Sequence, residues 1–165
     1  MISSEVDEAM HDEMPSCDDW TPVGIHSVVL SVVAKVSGRM LIGPELCRNK
    51  EYLEAGKFYT LDAMDAKRAV DKMKPWLRPF LAPRLSQVRA LRSREQTAHR
   101  LLDPIVQARR EAMKDPNWEK PDDFLQWILN RSEGFGINTT ERIATIQLGA
   151  IFASVHTATL AATNM

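Results

Sequence analysis

Apolar residues recur along this chain three and four positions apart and almost nowhere alternate, which is the spacing of helices rather than strands. After Thr21-Pro22, a capping hydroxyl followed by a proline suited to a first turn, Ile25, Val28, Val29, Val32, Val36 and Met40 form one stripe. The valines alone would suit a strand, but the length of the run predicts a helix, punctuated by Gly38 and Gly43-Pro44. Leu53, Phe58, Leu61, Met64 and Val70 repeat the pattern, with Lys67, Arg68 and Lys72 toward the end, where positive charge suits the helix dipole. Prolines at 75, 79 and 83 forbid a regular helix over 74–84 and predict a connector. Leu85, Val88, Leu91, Leu102, Ile105 and Val106 restore helical spacing, with a kink expected at Pro104.

Pro121-Asp122-Asp123 opens a short helix through Phe124, Trp127 and Ile128, ended by Gly134-Phe135-Gly136. Asn138, with Glu141 three places on, predicts the cap of a final helix. The expected fold is all-α. It reads as a single partial domain over 1–165, with an acidic start (1–20), two helices (21–73), the Pro-rich connector (74–84), an Arg-rich helix (85–114), a short helix (121–133) and the long last helix (139–165).

Composition changes little: 165 residues, 44% hydrophobic and 26% charged, describe one ordinary globular core, and a net charge of -1 favours neither nucleic acid nor membrane. Charge is unevenly placed, however. Glu5, Asp7, Glu8, Asp12, Glu13, Asp18 and Asp19 stand at the start without a Lys or Arg among them, whereas eight bases face three acids from Arg84 to Lys114. The latter suggests one functional alternative, a helical interaction module that binds an acidic partner. Arg84, Arg89, Arg92, Arg94, Arg100, Arg109 and Arg110 spread around the helix, though, and no nucleic-acid motif accompanies them. Cys17 and Cys47 lack metal-ligand spacing, which predicts free thiols in a reduced compartment. Met1 is followed by mostly polar and acidic residues, so no leader is expected, and the most apolar window, Leu148–Ala162, falls short of the ~20 residues of a membrane span.

The last helix carries the chemistry. At ~1.5 Å per residue it would run about 40 Å, near the width of a whole domain of this size. On a wheel of about 100° per residue, Thr145, His156, Thr159 and Thr163 share one stripe, and Ala150, Ala153, Thr157, Ala161 and Asn164 make a second face of small side chains. Such a face admits either a packed helix or something broad and flat.

The run A-S-V-H-T at 153–157, in the middle of a long apolar helix, resembles the central helix of the cytochrome P450 superfamily. That family's pattern is A/G-G-x-D/E-T-T/S, with His in the acidic place in many fungal members. V-A-K-V-S-G-R at 33–39, G-P-E-L-C-R-N at 43–49 and E-Y-L at 51–53 are similar to fungal members too, as is the proline-rich stretch from Lys74 to Leu85. The resemblance implies an internal stretch of a heme-thiolate monooxygenase. Such an enzyme inserts one oxygen atom of dioxygen into an organic small-molecule substrate, using electrons from a reductase.

By position, Ala153 would sit at the distal heme face, Thr157 would hold the water that delivers protons, and His156 would take the acid's place in that relay. Ser154 and Ala158 depart from the pattern. Neither Cys17 nor Cys47 lies in the family's Phe-x-x-Gly…Cys-x-Gly context, so no residue here is expected to ligate a metal, to bind heme tightly or to turn over alone. The family places the intact enzyme on the cytoplasmic face of the endoplasmic reticulum membrane. Trp76, Leu77, Phe80 and Leu81, among Lys74, Arg78 and Arg84, have the mix that rests on a membrane surface.

Overall fold

A computed structural model describes residues 2–17, 19–132, 134–137 and 139–164, and among them every regular element is helical. In chain order these are α1 (Ile2–Glu13), α2 (Ile25–Ile42), α3 (Lys50–Asp71), α4 (Arg78–Leu81), α5 (Ser86–Ala112), α6 (Phe124–Arg131) and α7 (Thr140–Thr163). The all-α expectation holds. α2, α3 and α5 surround the buried stripe of α7, and α3 runs antiparallel to α5, with Glu51 reaching Arg100 at one end and Asp62 reaching Arg94 at the other. The main core joins Ile42, Tyr52, Leu102, Val106, Leu125 and Leu148, so each of these helices and α6 contributes to one apolar cluster.

Several expectations shift. The acidic start folds as α1, because its acids meet bases brought from far along the chain. Arg48 reaches Glu5, Glu8 and Asp12 at 2.9, 2.8 and 3.2 Å, and Lys35 reaches Asp12 and Glu13 at 3.2 and 2.8 Å. Ala9 then closes a small second cluster on Val28 and Val32. Asp18 and Met165 lie outside the described residues. α2 begins at Ile25 with Gly24 as its cap rather than at Thr21-Pro22. Asn138 likewise lies outside the described residues, and Thr139 caps α7, its hydroxyl accepting the Arg142 N–H at 3.4 Å.

On α3 the predicted apolar stripe turns outward. Phe58, Leu61 and Met64 are exposed, while Tyr52 near the start of the helix and the smaller Ala55, Gly56, Thr60 and Ala66 are buried. The 74–84 connector is wound into α4 and two flanking 3-10 turns, which prolines in first-turn positions permit. α5 continues through Pro104 as one helix. α2 and α7 are both long and apolar enough to cross a membrane by length and composition, a broader result than the 15-residue window suggested. Here they pack on each other in the core.

Candidate active site

α7 has two unlike sides. Ile143, Ala144, Leu148, Ile151 and Val155 are buried against its neighbours, and Gln147 reaches across to donate to the Leu41 carbonyl at the end of α2, at 3.1 Å. On the far side Gly149, Ala153, Thr157 and Ala161 are exposed, Phe152 is 41% exposed and Leu160 54% exposed. A Cβ added at Gly149 would meet nothing within 4 Å. Among the described residues, no helix covers this small-residue face.

The predicted polar stripe of α7 is divided by burial. Thr159 is buried, Thr145 is exposed, and His156 and Thr163 are half-buried. Each threonine hydroxyl donates to its own helix four residues back: Thr145 to Glu141 at 3.0 Å, Thr159 to Val155 at 2.7 Å and Thr163 to Thr159 at 2.9 Å. These bonds bind the hydroxyl protons locally, so the stripe is no side-chain chain. Thr157 donates in the same way to the Ala153 carbonyl at 2.5 Å and leans on the Ser154 carbonyl at 3.2 Å. Its proton is committed, but a hydroxyl oxygen keeps acceptor capacity, and on this exposed side that capacity faces outward.

Thr157 and Ala153 are therefore joined directly. His156 turns elsewhere, with Nε2 3.2 Å from the main-chain oxygen of Lys57 on α3. Lys57 was not singled out in the sequence, and neither was Gly56 beside it. The signal was present, because an isolated glycine inside a helical pattern marks a close packing contact. The Lys57 ammonium extends to Ser31 Oγ on α2 at 2.9 Å, and burial pushes its pKa down.

A second polar cluster is closed rather than open. Arg109, 4% exposed, forms a fork on Asp123 at 2.7 and 2.8 Å and also donates to the Ile42 carbonyl and to Glu45, each at 2.9 Å. Asp123 at the same time caps α6 by accepting the Gln126 N–H at 2.8 Å. Burial opposes the Arg109 charge, but the Asp123 and Glu45 hydrogen bonds outweigh it and hold the guanidinium above its usual range. Gly43, at φ +92, passes beside this knot; a Cβ there would lie 2.6 Å from Asp123 Oδ2. The interaction-module alternative loses ground here: Arg109 is spent inside the fold, and Arg94 and Arg100 pair with Asp62 and Glu51 of α3.

Neither cysteine stands on the α7 face. Cys17 is exposed in the segment between α1 and α2, and Cys47 is buried against Gly38 of α2, where burial raises its thiol pKa.

Fungal cytochrome P450 monooxygenases match this chain at 32–36% identity over most of its length, and with its all-helical fold it is similar to a fragment of that family. It is 34% identical, over 99% of its length, to the cytochrome P450 monooxygenase ATR3 of Stachybotrys chlorohalonatus. It is 36% identical over 80% of its length to TES1 of Alternaria alternata, and 32% over 97% to braC of Annulohypoxylon truncatum, both cytochrome P450 monooxygenases. The chain spans 34%, 26% and 32% of those three relatives, about a third of their length. No family model and no solved structure matches it.

Proposed function

We propose that this chain supplies the distal wall and part of the substrate cover of a heme-dependent monooxygenase. The observation that carries this reading is the uncovered small-residue face of α7 centred on Ala153 and Thr157, a surface with room for a flat group and no protein partner among the described residues. The residues fit a heme as a wall and not as a ligand, since neither Cys17 nor Cys47 is on that face. When bound, the heme would activate dioxygen so that one oxygen atom enters an organic substrate, with electrons drawn from a reductase.

The chain's own contribution is position and protons. Ala153 keeps the side chain short where a ligand must fit. Thr157, with its proton given to the Ala153 carbonyl, accepts from a water and holds it in place. His156 stands where the family has an acid and supplies an imidazole that can pass a proton. Phe58, Leu61 and Met64, exposed on α3, supply apolar surface of the kind that lines an organic substrate. Trp76 and Phe80, 68% and 73% exposed beside Lys74 and Arg78, supply contact with the membrane surface of the endoplasmic reticulum on its cytoplasmic side.

The test uses the heme-loaded protein at the length of its relatives. Thr157→Ala is expected to keep electron consumption while product formation falls about tenfold or more, within the range of a lost proton-transfer group. Unchanged product per electron would contradict the assignment. The 165 residues alone, mixed with hemin, are expected to give no thiolate-type band after reduction and carbon monoxide.

A further inference from the structure

α3 packs tightly on α7 at Gly56, where an added Cβ would lie 3.0 Å from Ile151 Cγ2 and 3.3 Å from Cδ1. The missing side chain lets the backbone of α3 rest against α7. One residue on, the Lys57 carbonyl comes within 3.2 Å of His156 Nε2. A carbonyl only accepts, so the imidazole must donate from Nε2. The carbonyl is held in place by the α3 helix to which it belongs, and the Lys57 side chain reaches Ser31 of α2 separately.

We infer that Gly56 and the Lys57 carbonyl fix the tautomer of His156, holding the proton on Nε2 and leaving Nδ1 as the one nitrogen at which the ring takes up and releases a proton. The importance of this for catalysis rests on the proposed relay. A proton gained at Nδ1 makes an imidazolium whose Nε2–H bond to Lys57 persists and strengthens with the charge, and the same proton leaves again from Nδ1. Lys57 and Gly56 are thus positioning residues. The geometry also ties the relay to the substrate cover: moving α3 away from α7 removes the acceptor and frees the ring to exchange its proton between nitrogens. The hydrogen bond depends on helix spacing set by a single missing methyl.

The test is nitrogen-15 NMR of the 165-residue chain at about pH 8, where an ordinary imidazole is neutral. His156 is assigned by its loss in His156→Gln. The expected result is a protonated-type signal at Nε2, a lone-pair-type signal at Nδ1, and exchange of the Nε2 proton with water about tenfold slower than for exposed His26, the scale of one net hydrogen bond. Gly56→Ala should return that exchange to the His26 rate, while Ser31→Ala, which leaves the carbonyl in place, should keep the protonated nitrogen at Nε2. A proton on Nδ1 in the unaltered chain would overturn the inference even if Gly56→Ala fails to fold, and so would a folded Gly56→Ala chain with unchanged exchange. These signals are read without heme, so their failure leaves the monooxygenase reading standing, and the failure of that reading leaves them unaltered.

Discussion

The Arg109 knot and the outer face of α7 are opposite solutions to placing polar groups in a helical protein. At Arg109, a buried charge is answered within the chain by a fork from Asp123, a second carboxylate from Glu45 and the Ile42 carbonyl. Along the face of α7, small side chains stand open and Thr157 offers acceptor capacity to nothing among the described residues. A closed site explains its residues by stability. An open one, built on a helix whose other side is packed, is the surface on which the proposed distal wall rests.

The contrast is broken first by substitution at its closed end. Arg109→Met leaves Asp123 and Glu45 without their cation and should cost about 3–5 kcal/mol, read from urea unfolding. Leu160→Ala on the open face, where little is buried, should stay within about 0.5 kcal/mol. Similar costs at the two sites would erase the distinction. Gly43→Ala comes next, with an expected loss of about 1–3 kcal/mol, because a residue with a Cβ is strained at φ +92 and its methyl would press on Asp123.

A smaller effect concerns α1, a third and intermediate case held by exposed ion pairs worth little individually. The Lys35 hydrogen bond holds the Asp12 carboxyl below its ordinary pKa. Its contribution is therefore present above the ordinary carboxylate range and disappears as pH falls through the depressed value. Burial works against the Lys35 charge, but its bonds to Glu13 and Asp12 raise its pKa, so that contribution is lost only as pH climbs past the ordinary lysine range. Amide exchange in α1 should accelerate in acid while α7 stays protected; equal acceleration in both would show that α1 is no separate latch.

Much of this was legible in the sequence, because it depends on local spacing. The helical period, the proline connector and the A-x-x-H-T run are each contained within a few turns of chain. What escaped depends on distant partners. The acidic start carried no predicted helix, because the charge that holds it comes from Arg48, 36 residues from Asp12 and 43 from Glu5. Arg109 read as one surface arginine among seven, because nothing local marks it as the partner of Asp123. The stripe on α3 was correctly read as helical and apolar, but Phe58, Leu61 and Met64 of it are exposed, since periodicity gives a face but not its direction. His156 was noticed by motif, yet its real neighbour, the Lys57 carbonyl, is a backbone atom that no sequence pattern displays.

The central claim, that Ala153 and Thr157 face the heme, is tested most directly by carbon monoxide binding to the reduced, heme-loaded protein at the length of its relatives. Ala153→Leu fills the open face at its middle, and Thr145→Val changes an exposed position about two turns closer to the start of α7. The account predicts that Ala153→Leu weakens carbon monoxide affinity about tenfold or more, the cost of crowding a packed site, while Thr145→Val leaves it unchanged. Equal affinity in the two variants would contradict it.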